Sequence, residues 1–248
     1  MSATYFIADL HLSEDTQKTN SLFFKFLDSL KPKDHLYILG DFFDYWIHAV
    51  KEDPSDLQCE VLAYLQKIIK QDVKISFMPG NRDFLLNAAI LKAAGVEYLP
   101  NKPTVIQVYN KKILIAHGDQ WCTTDTSYQR YKKIVENKWI QKLFFILPKS
   151  IRQKIGNKIR GVSSNKKQSL NKQKKPIDVT IAAIDQNVNR INAAKRINLG
   201  YVIHGHTHRF GEHKHVNNVT RLVLGDWHAG KGSFIKLTKG SEPELYNL

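Results

Sequence analysis

Asp41 follows Gly40 at the end of the apolar run 37–39, and four other short apolar runs stop at residues of the same kind. Residues 5–8 lead into Asp9 and His11, 75–78 into Gly80 and Asn81, 113–116 into His117, and 201–203 into His204, His206 and His208. Two carboxylates, an amide and at least four imidazoles therefore stand directly after strand-like segments. Carboxylate oxygen, amide carbonyl oxygen and neutral imidazole nitrogen are the donors that Mn, Fe, Zn and similar divalent ions accept. Asp41 has no close histidine neighbour in sequence, and its two oxygens can bridge two ions. The pattern predicts a two-metal centre with Asp41 shared at its middle. Any one of these histidines taken alone would fit a hydrogen-bonded structural role better; the five blocks together point to metal.

The elements that must position them are legible from periodicity. Apolar runs of four or five residues read as buried strands, and in open α/β sheets ligands collect beyond the carboxyl ends of the strands. All five tips are thus expected along one sheet edge. Apolar residues recur at helical spacing in 21–30, 57–70 and 85–94, the last stopped by Gly95. Runs 104–109 and 112–116 read as a hairpin turning at Asn110-Lys111, and further strands are expected near 221–224 and 233–237. The predicted class is α/β, with mixed β-sheets sandwiched by helices.

From Tyr128 the character changes. Tyr131, Val135, Trp139, Leu143 and Leu147 recur at every fourth position, with Lys132, Lys133, Lys138 and Lys142 on the other faces. This predicts one basic amphipathic helix ended by Pro148, then a second helical stretch at 151–160, a Lys-rich loop at 163–175 and a return to helix at 181–197. Between Arg130 and Lys175 lie 15 of the 37 Lys and Arg residues and a single acid, Glu136, so this segment carries the whole net charge of +14. Its partner is expected to be anionic. Residues 128–180 are read as a helical cap inserted in a single domain that spans 1–248. An ordinary outer helix with solvated lysines is the alternative, but 143–147 is too apolar for a helix that buries one stripe.

At 248 residues and 42% hydrophobic the chain can bury a full core. No apolar run is long enough to span a bilayer, and the first strand begins too early to leave room for a secretory signal. Cys59 and Cys122 are too few for a disulfide framework, so a reduced, cytoplasmic setting is expected. Cys122 lies near His117 but reads as a buried free thiol.

Asp9-Leu10-His11, Gly40-Asp41-Phe42-Phe43-Asp44, Gly80-Asn81-Arg82-Asp83, His117-Gly118-Asp119 and Gly205-His206-Thr207-His208 resemble, in order, the signature of the calcineurin-like metallophosphoesterases. The resemblance implies one metal on Asp9, His11, Asp41 and His208, and a second on Asp41, Asn81, His117 and His206. It leaves His204, Asp44 and Asp119 as residues that orient ligands or close turns. Two dications roughly 3.5–4 Å apart lower the pKa of a water and clamp an in-line displacement at phosphorus. Arg82 stands where many members of the superfamily carry a histidine acid. Arginine cannot donate a proton at neutral pH but stabilises phosphate charge, which suits a leaving group that is itself a phosphate monoester and needs no protonation. A local ion pair with Asp83 is the other reading of Arg82.

GNRDFLL, HGDQWCTTDTSYQ, the basic helical insertion and IHGHTHR are closely similar to the UDP-2,3-diacylglucosamine pyrophosphohydrolase family over nearly the whole length. That resemblance implies a peripheral enzyme on the cytoplasmic face of the inner membrane. It implies that water attacks the α-phosphorus of UDP-2,3-diacylglucosamine, with two Mn²⁺ and with Asp41, Asn81, Arg82 and His117 at the reaction. It also implies substrate contacts from Asp125, Tyr128, Arg160, Ser163, Lys167 and His206. Trp46, Trp139 and residues 144–147 are candidates to line a cavity for acyl chains, and the basic cap suits the anionic inner-membrane surface. A nuclease or cyclic-nucleotide phosphodiesterase on the same centre is the rival enzyme, with the basic segment on a nucleic-acid backbone; Arg82 and the aliphatic cap argue against it, and no nucleic-acid partner is expected. A non-catalytic binding module is the rival of another class, and the full ligand set argues against it. The oligomeric state is not legible.

Overall fold

Consecutive residues of the central strands face different cores, which is why these strands read as unbroken apolar runs. In β1 (Ala3–Ile7), β2 (His35–Leu39) and β3 (Lys74–Met78), Phe6, Tyr37, Leu39 and Met78 point between two sheets. Ile7, Leu36, Ile38, Ile75 and Phe77 point instead to a helical layer of α1 (Gln17–Ser29), α2 (Asp56–Ile69) and α3 (Ala88–Ala93). The computed structural model describes residues 2–49, 52, 54–159, 178–214 and 219–248.

The first sheet runs β11-β10-β1-β2-β3-β4, with β4 at Glu97–Tyr98, β10 at Ser233–Thr238 and β11 at Glu244–Asn247. Strands β1 to β4 are parallel, and β10 and β11 add an antiparallel edge. The second sheet runs β5-β6-β7-β9-β8: β5 Thr104–Val108, β6 Lys111–Ala116, β7 Tyr201–His204, β8 Gly211–Lys214 and β9 Thr220–Val223. Its centre β6-β7-β9 is parallel and its edges antiparallel. Ile113, Ile115, Ile203 and Leu222 meet the first sheet, while Leu114 and Val202 pack under Ile184 and Val188 of α7 (Ile181–Lys195). The layers are helix, sheet, sheet, helix. The predicted class holds, but the five strand tips belong to two sheets facing each other, not to one.

Local chemistry sets the boundaries. Ser55 and Gln58 form a capping box that starts α2. Asn87 accepts the N–H of Ala89 at 2.7 Å, so α3 begins three residues later than its apolar pattern predicts. The β5–β6 turn falls at Tyr109-Asn110, one residue earlier than expected, because Tyr109 takes the left-handed conformation (φ 53°). The single helix expected from Tyr128 is two, α4 (Thr126–Val135) and α5 (Lys138–Ile146). Asn137 breaks it by accepting the N–H of Trp139 at 2.9 Å and capping a new helix. Residues 149–159 form α6. Among the described residues no helix is long and apolar enough to cross a membrane.

Candidate metal centre

Backbone proximity brings the strand tips of both sheets together. Gly80 is so close to Asp41 that a Cβ on it would lie 2.3 Å from the Asp41 Oδ1, and a Cβ on Gly205 would lie 2.3 Å from the Asp9 Oδ2. Only glycine fits at these two points. The loops are also tied through side chains: Asp9 Oδ2 accepts the N–H of His206 at 2.7 Å, and Asp41 Oδ1 accepts that of Arg82 at 2.9 Å. Asp83, fully buried, accepts the N–H groups of Gly80 and Phe42, both at 2.7 Å.

Two groups of donor atoms result. Asp9, His11 and His208 form one, and Asp41, His117 and His206 the other. Asp41 lies between them: its Oδ2 is 3.9 Å from His11 Nε2 and its Oδ1 is 3.6 Å from His117 Nε2. Asn81 joins the second group, its Oδ1 3.0 Å from His117 Nε2. His117 Nδ1 meets the Leu39 carbonyl at 2.9 Å, which turns Nε2 to the centre. In the first group His208 Nε2 is 3.4 Å from Asp9 Oδ1. The geometry brings all seven side chains together, with Asp41 between the two groups.

The electrostatics fit a cation. Asp9 Oδ1 is buried without a hydrogen bond, a state that a bound positive charge relieves. Burial works against the Asp9 carboxylate, yet the imidazoles of His208, His117 and His11 hold its pKa below the usual carboxylate range. Burial raises Asp41 above its ordinary value, opposed by His117. His117 is raised by the carboxylates of Asp41, Asp9 and Asp119 against the effect of burial. His206 is lowered to about 3 by burial and by His117, which keeps its ring neutral and able to donate a lone pair. Mixed oxygen and imidazole donors of this kind suit divalent transition ions.

Arg82 borders the centre and pairs with Asp44 at 3.2 Å. The pairing with Asp83, the other reading of Arg82, is not found among the described residues, because the Asp83 carboxylate is taken up by backbone N–H groups. Asp119 orients the cap instead of a ligand: its Oδ2 accepts the Tyr128 hydroxyl and the Lys132 ammonium, each at 2.6 Å. Tyr128 thus stands with its ring 6.0 Å from that of His206. Asp125 caps α4, accepting the N–H of Tyr128 at 3.1 Å and the hydroxyl of Ser127 at 2.7 Å. His204 is a buried wedge between the Gly205 carbonyl, Trp121 and Arg221, with its pKa lowered to about 4 by burial. Cys122 is a buried thiol raised to about 12 by burial. Arg160, Ser163 and Lys167 lie outside the described residues.

Next to the centre lies an apolar cavity of about 250 Å³. Asn81 and Arg82 border it, Trp46 and Ile47 contribute from the loop after β2, and Phe144, Ile155 and Ile159 from α5 and α6. Trp46 and Phe144 line it as expected. Trp139 and residues 145–147 do not: Trp139 is 74% exposed on the outer face of α5, with Leu143 at 65% and Ile146 at 77%. The break at Asn137 rotates Trp139, Leu143 and Ile146 outward.

Two contributors went unread in the sequence. Lys132 looked like one of the solvated lysines of an amphipathic helix, and nothing local marks it as the partner of Asp119. Asp226 did carry a signal: it follows Gly225 just beyond β9, the same strand, glycine and aspartate order as at Asp41. Its Oδ2 lies 3.1 Å from His208 Nδ1.

Residues 3–210 match the family model of the calcineurin-like phosphoesterases. Among curated relatives, a UDP-2,3-diacylglucosamine hydrolase of Photorhabdus laumondii is 44% identical over 96% of both chains. Proteins of the same name from Haemophilus influenzae (39% over 98% of both chains) and Neisseria meningitidis serogroup A (40% over 96% of this chain and 95% of the other) match as fully. On matches that run from the first strand through the last histidine loop and across nearly the whole length, the chain belongs to the calcineurin-like phosphoesterase family, and within it groups with the UDP-2,3-diacylglucosamine hydrolases.

Proposed function

We propose that this protein hydrolyses the diphosphate of UDP-2,3-diacylglucosamine, with water attacking the α-phosphorus to release UMP and 2,3-diacylglucosamine 1-phosphate, a step of lipid A biosynthesis. The observation that carries the reading is the juxtaposition of a polar centre of metal-ligand type, flanked by Arg82, with an apolar cavity bordered by the same Arg82 and Asn81. Relatives of the same name at 39–44% identity support it. We further propose two Mn²⁺ as the metals, one on Asp9, His11, Asp41 and His208 and one on Asp41, Asn81, His117 and His206. When bound, such a pair supplies Lewis acidity and an activated water at neutral pH. The side chains do the rest. Asp41 aligns the two ligand groups, and Asp83 and the two close glycines hold the loops in place. Arg82, always protonated, meets the charge that develops on the departing phosphate. That group, with a second pKa near 6, leaves without a proton donor, so a histidine acid is not needed at this position. Tyr128, fixed by Asp119, would contact the sugar, and Asp125, which caps the same helix, is assigned to the same group by resemblance.

The outer face of α5 supports peripheral attachment to an anionic inner-membrane surface, with Trp139, Leu143 and Ile146 exposed among Lys138, Lys142 and Lys149.

The test is product analysis with Mn²⁺ in isotopically labelled water. Label in UMP is the expected result. Label in the sugar phosphate would move the attack to the other phosphorus, and cleavage of single-stranded DNA without any UMP would replace the lipid reading by a nuclease.

A further inference from the structure

Gly156 stands inside α6, where glycine is a poor helix former, and no backbone reason for it is present. Its φ is not positive, and a Cβ there would meet Ile47 Cγ2 at 3.4 Å and Tyr45 Cδ2 at 3.7 Å, ordinary contact without collision. What a side chain would occupy is space, since Gly156, Tyr45 and Ile47 all line the apolar cavity beside the metal centre. One turn earlier, Arg152 is 1% exposed. Its Nε donates to the Leu147 carbonyl at 3.0 Å, its Nη1 to the Ile47 carbonyl, and its Nη2 pairs with Glu52. A buried guanidinium with three partners fastens α6 to the loop that forms the opposite wall, so the helix cannot lift away to admit a larger group at 156.

We propose that residue 156 determines acyl-chain specificity: the missing side chain of Gly156 sets the bore of the cavity, and Arg152, as a positioning residue, fixes the separation of its walls. This deepens, and rests on, the proposed reaction on a diacylated UDP-sugar. A side chain at 156 then excludes the distal part of a long chain, and shorter chains still fit.

The experiment compares wild type with Gly156→Ala, Gly156→Val and Gly156→Phe in two assays: kcat/KM on UDP-diacylglucosamines of graded acyl length, and displacement of a fluorescent fatty acid by free fatty acids of graded length. Gly156→Phe and Gly156→Val are expected to lower kcat/KM on the longest chains about tenfold or more, through KM, and to leave the shortest within about twofold. The displacement assay is expected to move in parallel, and Gly156→Ala to retain most of the wild-type profile. An equal loss at every length, or an unchanged length profile in folded variants that turn over, overturns the ruler and leaves the reaction standing. A shifted fatty-acid profile in a protein that hydrolyses no UDP-sugar keeps the ruler and removes the reaction. Absence of both fatty-acid binding and hydrolysis in wild type removes both.

Discussion

Five of the seven residues around Asp41 hold their backbone in the left-handed region: Asp9 (φ 57°), His11 (50°), Asp41 (50°), His206 (68°) and His208 (55°). Each costs about 1–3 kcal/mol for a residue with a side chain, and such strain persists only where the surroundings over-determine it. Here they do. The N–H of Asp9 donates to the Gly40 carbonyl at 3.1 Å, that of His11 to the Asp41 carbonyl at 3.0 Å, and that of Trp227 to the Asp9 carbonyl at 3.0 Å. The same tightness turns side chains two apart in sequence, Asp9 with His11, toward one point. Beyond these seven, Asp226 reaches His208 Nδ1 at 3.1 Å and leaves Nε2 facing Asp9, so it orients the ring as outer-shell carboxylates do. Asp226→Asn is expected to weaken Mn²⁺ binding about 10–100-fold at the Asp9, His11 and His208 group alone. Calorimetric titration of metal-stripped protein checks this: wild type and variant should share one affinity and differ in the other. Two unchanged affinities would remove Asp226 from this role.

At the scale of elements, the opposite end of the first sheet carries its own polar line. His35 of β2 meets the Ser76 hydroxyl of β3 at 2.8 Å, and that hydroxyl donates to Glu97 of β4 at 2.6 Å. Burial lowers His35 to about 4, against the pull of the Glu97 carboxylate and with a small push from Lys74. An ordinary histidine in the unfolded chain titrates near 6.5. Above that value both states are neutral and nothing is lost. As pH falls from about 6.5 toward 4 the unfolded chain takes up a proton that the folded one refuses, so stability drops. His35→Gln should therefore flatten the acid side of a urea-unfolding profile between pH 7 and 5, by on the order of 1–2 kcal/mol. Parallel profiles for the two proteins would contradict it. That line shows where reading a sequence ends. The metal loops were legible because each follows an apolar strand with a distinctive residue pair, and β1, β2, β3, β6 and β7 lie where expected. Edge strands β4 and β11 were not, since Glu97–Tyr98 and Glu244–Asn247 bury too little to carry an apolar signature. The break in the cap was hidden because the four-residue period runs unchanged through Asn137, and which face then turns outward depends on a hydrogen bond that periodicity does not encode. The Asp44 partner of Arg82 was hidden for a similar reason: Asp83 is the acid adjacent in sequence, but the fold uses it to join loops.

Over the whole molecule, charge and apolar surface coincide. The segment from Arg130 to Lys175 holds the excess charge, and its described helices present Trp139, Leu143 and Ile146 to solvent with the Lys142 ammonium 4.8 Å above the Trp139 ring. Each Lys or Arg near an anionic leaflet contributes about 1 kcal/mol, and the contribution fades with salt. Burying a Leu or Ile side chain adds about 1.5–3 kcal/mol. The tryptophans make the interaction readable without a label: Trp46, Trp121 and Trp227 are 1–3% exposed and already in apolar surroundings, whereas Trp139 is open. Adding vesicles that contain anionic phospholipid should shift the emission to the blue, with salt reversing the shift and neutral vesicles giving little. Leu143→Ser with Ile146→Ser should reduce partitioning about tenfold or more, and Trp139→Phe should remove most of the spectral change while sedimentation with the vesicles persists. Because the apolar cavity lies beneath the same helices, a face that rests on the bilayer would place the cavity walls next to the lipid. An emission spectrum indifferent to anionic vesicles, together with no co-sedimentation, would separate the basic face from the membrane and leave its charge to another anionic partner.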